Sequence, residues 1–223
     1  MTLQAGGSLG DDFAVVDATI NVEGGILGDS ARAVDSEVNI SGGTVGDDFL
    51  ALFGAEVNIS GGILGDNFIA VNSELNISGG TIGDNLAAFS SVLNISGGTV
   101  GSELAVGGEV NISGGTVGDN FRLGSGSEVN ILGSEFFIDG LELETLLLGE
   151  SFTVTDRDVT LSGLLADGEQ FSFDLNSLDP LDVGDFFSSG ATLTVTLTSP
   201  VPEPSSAALI GLVVAMGFSR RRR

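Results

Sequence analysis

Five residue types are missing from the 223-residue chain: cysteine, histidine, lysine, tryptophan and tyrosine. Without histidine or cysteine, the chain has no Ser-His-Asp or Cys-His nucleophile, no zinc or thiolate metal site and no disulfide. Without lysine, it can form no Schiff base and has no lysine for a phosphate-binding loop. An enzyme built on this sequence would therefore have to work with carboxylates alone.

Positive charge is also scarce. Seven arginines face 31 acidic residues, so the formal net charge is -24, and four of the arginines fill the last four positions. A surface with so few cations cannot neutralise phosphates, which argues against nucleic acid as a partner. Apolar residues nevertheless make up 42% of the chain, and this share argues against disorder of the whole chain.

Glycine is abundant, with 35 residues, and glycine pairs mark an internal repeat. A weak first copy, TLQAGG, begins at Thr2, and the following copies are separated by 18, 19, 18, 18, 17 and 19 residues. These copies are INVEGG at Ile20, VNISGG at Val38 and Val57, LNISGG at Leu75 and Leu93, VNISGG at Val110 and VNILGS at Val129. We therefore divide the chain into a repeat array over 1–132, an irregular segment over 133–199 and a tail over 200–223.

Each repeat unit contains short alternating apolar runs and lacks the apolar spacing of a helix. The pattern predicts an all-β fold, a parallel β-solenoid (β-helix) of about 18-residue coils with two or three short strands per coil. Corners are expected at Gly42-Gly43 and near Gly54-Ala55. One coil cannot bury its own apolar side, but a stack of coils can.

Stacking in register predicts an interior made of like residues. With coils ~4.8 Å apart, seven or eight of them would form a rod roughly 35–40 Å long. The predicted buried ladders are Val38/Val57/Leu75/Leu93/Val110, Ile40/Ile59/Ile77/Ile95/Ile112 and Phe49/Phe68/Leu86/Leu104/Phe121.

Three rows of polar or exposed residues also recur. The row Asn39, Asn58, Asn76, Asn94, Asn111 and Asn130 either forms an amide ladder from coil to coil or provides glycosylation sequons, since five of its members stand in Asn-Ile-Ser. We favour the ladder, because any such repeat copies the sequon. A row of Thr44, Ile63, Thr81, Thr99 and Thr116 could form a flat ice-binding face.

The third row is acidic and comprises Asp11, Asp29, Asp47, Asp66, Asp84 and Asp119, interrupted at Ser102. Stacked carboxylates could bind Ca²⁺, with Asp47, Asp66, Asp84 and Asp119 as the candidate ligands. The unit resembles the calcium-binding nonapeptide G-G-x-G-x-D, but its third glycine falls one place late and each coil has one copy. The alternative, which we favour, is that the aspartates face solvent or cap their own Gly-Asp turn.

Segment 133–199 loses the period and still has the pattern of β-structure. Asp167-Gly168 predicts a hairpin or tight corner, and Thr192–Thr198 alternates strictly, with Leu193, Val195 and Leu197 on one side. We expect this segment to continue the solenoid with irregular coils and to cap its open end.

The tail combines prolines, an apolar run and arginines. Ser205 to Phe218 is 14 residues without a charge, ~21 Å if helical, and therefore short for a permanent membrane span. In order, the tail contains Val201, Pro202, Glu203 and Pro204, then a predicted transmembrane helix with Ala207, Leu209, Ile210, Leu212, Val213, Val214, Met216 and Phe218, then Arg220, Arg221, Arg222 and Arg223. The arginines would be held on the cytoplasmic side.

This tail resembles the PEP-CTERM sorting signal of bacterial exported proteins. The resemblance implies export, anchoring in the membrane, processing by an exosortase-type enzyme, and delivery to the cell surface or extracellular matrix. Similar tails have also been labelled as the C-terminal region of ice-binding proteins. Such a signal needs a translocated chain, so we expect an upstream in-frame start that encodes a signal peptide.

The sequence favours a non-enzymatic, surface- or matrix-associated β-solenoid protein without a cofactor, in contact with exopolysaccharide or other surface components. The first alternative is a binding module for Ca²⁺ or ice, or an adhesive module. The second is a polysaccharide-active β-helix enzyme that uses an acid pair in a cleft built from long insertions, and the repeat array has no such insertions.

Overall fold

A computed structural model describes residues 1–143, 146–178 and 184–199 of the chain. These residues form 21 strands and no helix. Most strands pair in parallel with the equivalent strand one repeat away, for example Glu37–Val45 with Glu56–Leu64. The chain is therefore an all-β parallel β-solenoid of about seven coils of ~18 residues, which confirms the predicted fold class.

Each coil has three sides. In the coil that begins at Glu37, residues 37–40 form face 1, residues 44–45 form face 2 and residues 50–52 form face 3. Gly43 has a φ of 81° at the first corner, and Asp48 and Phe53 have φ values of 59° and 53° at the other two. The corner at 46–48 is additional to the two that the sequence predicted.

The strands group by face. Face 1 contains Thr2–Leu3, Thr19–Val22, the first part of Glu37–Val45, Glu56–Leu64 and Glu74–Ile82, the middle of Ala87–Val100 and Ala105–Val117, the first part of Glu128–Ile138, and Thr192–Leu197. Face 2 contains Ser8–Leu9, Ile26–Leu27 and the ends of the long strands from Glu37–Val45 to Ala105–Val117. Face 3 contains Ala14–Val16, Arg32–Val34, Leu50–Leu52, Ile69–Val71, the starts of Ala87–Val100 and Ala105–Val117, Arg122–Leu123 and Phe186–Phe187.

The interior consists of apolar ladders in parallel register. Val57 pairs with Leu75, and Leu75 pairs with Leu93, as the repeat alignment predicts. All three predicted ladders are buried. The structure adds two more buried ladders, Val45/Leu64/Ile82/Val100 and Ala51/Ala70/Ala88/Val106/Leu123.

A column of small residues closes the interior beside the third corner. It contains Ser36, Ala55, Ser73 and Ser91, all buried. The serine hydroxyls donate hydrogen bonds to the carbonyl two residues earlier, at 2.7 Å for Ser36, 3.0 Å for Ser73 and 2.9 Å for Ser91. The buried hydroxyl groups are thus satisfied within their own coil, which removes the cost of burying them.

Beyond the repeats, the chain leaves the solenoid and later returns to it. Glu128–Ile138 extends into an antiparallel sheet with Leu141–Glu142, Thr160–Leu165 and Gln170–Asp174, which we call the cap sheet. The hairpin predicted at Asp167-Gly168 joins the last two of these strands. Phe186–Phe187 and Thr192–Leu197 then stack in parallel on the preceding coil, and Ser151–Thr153 pairs antiparallel with Thr192–Leu197.

The buried ladders generate a first prediction. Ile77→Asp places a carboxylate between Ile59 and Ile95, where Ile77 is 1% exposed, and should lower the free energy of unfolding by roughly 3–5 kcal/mol. Thr81→Asp, at an exposed position of the same strand, should change it by no more than about 0.5 kcal/mol. Urea unfolding followed by circular dichroism measures both, and equal effects of the two substitutions would contradict the register.

Candidate functional site

The asparagine row lies on the outside of face 1 and forms a continuous ladder. The Nδ2 of each asparagine donates to the Oδ1 of the asparagine one coil earlier. The six distances lie between 2.7 and 3.0 Å, from Asn39 to Asn130. An asparagine amide both donates and accepts, so each side chain can hydrogen-bond to the equivalent asparagines of the coils on either side. The amide ladder that the sequence predicted is confirmed.

A second hydrogen bond occupies most of these amides. In four coils, Nδ2 also donates to the Oε1 of the glutamate two residues earlier, at 3.0 Å for Asn39, 3.1 Å for Asn58, 3.3 Å for Asn76 and 3.0 Å for Asn111. Both N–H groups are then engaged. A glycan on Nδ2 would remove one of these hydrogen bonds, so the structure favours the ladder over the glycosylation sequon.

The aspartate row lies at the corner between faces 2 and 3. In five members of the row, Oδ1 accepts a hydrogen bond from the backbone N–H of the equivalent residue one coil later; these are Asp11, Asp29, Asp47, Asp66 and Asp84. The distances are 2.9 Å from Asp66 N to Asp47, 2.9 Å from Asp84 N to Asp66 and 2.8 Å from Ser102 N to Asp84. Asp47, Asp66 and Asp84 are exposed, so the expectation that the aspartates face solvent is confirmed. The amide that each of them caps belongs to the next coil and not to its own turn.

This contact also explains the glycine before each aspartate. A Cβ on Gly46, Gly65 or Gly83 would collide with the Oδ1 that reaches up from the coil below. The residue after each aspartate is left-handed, with φ of 62° at Asn67 and 63° at Asn85. Asparagine and aspartate tolerate that conformation better than most residues. The recurring Gly-Asp-Asn/Asp sequence therefore forms a corner at which successive coils can stack.

The candidate calcium ligands follow one another along the rod. Asp47, Asp66 and Asp84 occupy successive coils, and Ser102 separates them from Asp119. In the part of the chain that the structure describes, no group of three or more acidic residues is placed to hold a metal ion. Ca²⁺ takes six to eight oxygen ligands around one point, whereas this row presents them along a line. Calcium binding at these residues stays a hypothesis.

The outside of face 2 carries the threonine row. Thr44, Ile63, Thr81, Thr99 and Thr116 are all exposed and paired in parallel register. Ile63 is 56% exposed. The row is one residue wide, because its neighbours Val45, Leu64 and Ile82 point into the core.

The outside of face 3 is apolar, in contrast to the other two faces. One outward column contains Leu50, Ile69, Ala87 and Ala105, with Arg32 below and Arg122 above. The guanidinium carbon of Arg122 lies 5.6 Å from the centre of the Phe186 ring. The two arginines of the repeat array therefore share a single column on the least acidic face.

Two carboxylates of the irregular segment, those of Asp185 and Asp167, fasten this segment to the rod. Asp185 accepts hydrogen bonds from the backbone N–H of Phe121 at 2.8 Å and of Asp174 at 3.0 Å. Burial raises the pKa of Asp185, although these two N–H groups oppose the rise. Asp167 accepts from Gly115 N–H at 2.7 Å, joining the cap-sheet hairpin to the repeat array. By contrast, the backbone N–H and then the hydroxyl of Ser177 lower the pKa of Asp158.

The sorting residues predicted from the sequence, Val201–Pro204, Ala207–Phe218 and Arg220–Arg223, lie outside the described residues, and so does the predicted transmembrane helix. Among the residues that are described, there is no helix with the length and apolar character needed to cross a membrane.

Comparison with protein families identifies the tail. Residues 200–223 match the family of the PEP-CTERM protein-sorting motif. No curated protein and no solved structure matches the chain. The match covers the tail alone and carries no ice-binding label. It therefore concerns the sorting of the protein and says nothing of the role of the solenoid. The C-terminus of this chain therefore carries a PEP-CTERM sorting motif, which implies export, membrane anchoring, processing by an exosortase and arrival at the cell surface.

Proposed function

We propose that this protein is a non-enzymatic structural component of the cell surface or extracellular matrix, a rigid acidic rod delivered by its C-terminal signal. The PEP-CTERM motif behind a β-solenoid carries this proposal. The solenoid contributes rigidity, because its outward asparagine and aspartate rows are hydrogen-bonded from coil to coil. Because these side chains join one coil to the next, they support a structural role for the repeat array.

The acidic surface supports a location in the matrix. At -24, copies of the chain repel one another in solution and remain separate until a partner or a cation binds them. Exopolysaccharide and other surface components are the partners that we propose for the exported rod. The membrane is its partner only before processing.

Sorting generates the second prediction. When the chain is expressed behind a host secretion signal, replacement of Pro202, Glu203 and Pro204 by alanine should leave the protein in the membrane fraction, while the unmodified chain reaches the surface or medium. Fractionation and immunoblotting measure the distribution in an exosortase-containing host. Thr116→Ala, on the exposed face 2, is the matched control and should fractionate like the parent. Surface delivery that persists after deletion of the host exosortase would contradict the proposal.

The aspartate row generates the third prediction, which separates a structural role from calcium binding. In Asp66→Asn/Asp84→Asn, each new Oδ1 still accepts the amide above it while the repulsion between carboxylates falls. The melting temperature should therefore stay the same or rise slightly. In Asp66→Ala/Asp84→Ala, the amides of Asp84 and Ser102 lose their acceptors, which should cost about 1 kcal/mol per site.

Calcium is the decisive control for this pair of variants. We expect millimolar calcium to shift the melting temperature of the parent no more than sodium at matched ionic strength, since both only screen the charge. A calcium-specific rise of the melting temperature that is lost in Asp66→Asn/Asp84→Asn would instead identify a calcium-binding module. A ligand that binds only the folded chain stabilises it by RT ln(1 + [L]/Kd).

The threonine row supports a second candidate, ice binding, because Thr44, Ile63, Thr81, Thr99 and Thr116 are exposed and evenly spaced in register. Its width of one residue favours the structural role instead.

A thermal-hysteresis measurement decides between the structural role and ice binding, and we expect no hysteresis from the parent chain. Hysteresis that disappears in Thr81→Asn/Thr99→Asn would establish the ice-binding function.

A further inference from the structure

The outer side of the cap sheet differs from every face of the solenoid, because its side chains do not stack on copies of themselves. Cross-strand pairing aligns Phe137 with Ser162 and Ser162 with Ser172. A second row aligns Glu135 with Leu164 and Leu164 with Gln170. The opposite side of the sheet, with Phe136, Leu161, Phe171 and Phe173, is buried against the end of the rod.

The two outer rows line an open cleft of about 490 Å³. Its volume falls in the range of small-ligand sites. Phe137 is half-buried and gives the cleft an aromatic wall, with Leu164 beside it. Four polar residues, Glu135, Ser162, Gln170 and Ser172, also line the cleft, together with Gly163 and the mostly buried Phe171.

These four polar side chains have unused hydrogen-bonding capacity. Within the described residues, none of them makes a side-chain hydrogen bond, whereas the asparagine and aspartate rows are bonded from coil to coil. Serine hydroxyls and a glutamine amide both donate and accept, and a carboxylate accepts. The cleft therefore offers donors and acceptors around an apolar ring.

We propose that this cleft binds a neutral saccharide chain. A sugar ring has an apolar C–H side that can lie on Phe137 and a rim of hydroxyls that can pair with Gln170, Ser162 and Ser172. The backbone of Thr160–Leu165 is paired on both sides, so recognition falls to side chains.

Charge defines the class of saccharide. Among the described residues that line the cleft there is no arginine, and Glu135 is the one with a charged side chain. A sulfated, phosphorylated or uronic-acid chain would meet this carboxylate and a protein of net charge -24. The site therefore selects uncharged sugars.

The test uses the full chain and an array of neutral gluco-, manno-, galacto- and xylo-hexasaccharides, with hexagalacturonate and a neutral Ser-Gly-Asn hexapeptide beside them. We expect at least one neutral hexasaccharide to be retained, and hexagalacturonate and the peptide to bind at least about tenfold more weakly. Retention of no neutral sugar, or equal binding of hexagalacturonate or the peptide, overturns the proposal.

Variants then locate the site by calorimetric titration of the best-retained hexasaccharide. Phe137→Ala should weaken binding about tenfold or more, and Gln170→Ala about fivefold. Phe152→Ala removes an aromatic ring that is 43% exposed and lies outside the cleft, so it is the matched control and should bind like the parent. Gln170 is exposed, so Gln170→Ala keeps the test valid if Phe137→Ala lowers the melting temperature.

Unchanged affinity in both Phe137→Ala and Gln170→Ala overturns the site even if a sugar binds elsewhere. These measurements use purified protein, so they are independent of sorting. A chain that reaches the surface without binding sugar contradicts this inference alone, and one that binds sugar without reaching the surface contradicts the proposed function alone.

Discussion

The structure depends on one constraint: in a parallel stack, each side chain lies directly above its own copy, ~4.8 Å away. A residue type can repeat along a row only if two of its side chains can lie at that distance without a steric or electrostatic conflict. Isoleucine does so by packing, as in the ladder through Ile77. Asparagine does so by donating to one copy and accepting from the other. The regular rod follows from satisfying this condition at every position of the repeat.

Aspartate cannot satisfy the constraint by binding its own copy, because two carboxylates repel and neither donates. The backbone supplies the missing donor, since Oδ1 of Asp66 accepts the amide of Asp84. That solution requires space above the carboxylate, and glycine at position 83 provides it. One electrostatic conflict thus accounts for both the acidic row and the glycines that accompany it.

The sequence predicted the parts of the fold that repetition encodes: the solenoid, its register, its three apolar ladders and the asparagine ladder. It did not predict that each aspartate caps the next coil, because that contact depends on how far one corner reaches toward another. The sequence also did not predict the topology of the cap sheet. Residues 133–199 have no period, and alternation alone does not show that Glu128–Ile138 pairs with Thr160–Leu165. The cleft, which draws residues from three strands, could not be predicted for the same reason.

Repetition and specific binding place opposite demands on a surface. In the array, Asn94 donates to Asn76 and Asn76 donates to the asparagine one coil earlier, so these outward amides have little capacity left for a ligand. Unused donors and acceptors side by side with an apolar ring require a place where the repeat ends, and the cap sheet is such a place, with Phe137 and Gln170 on one side of it. The buried side of the same sheet closes the last coil through Phe171 and Phe173. A single sheet thus protects the end of the rod with one side and leaves the other side free to evolve recognition.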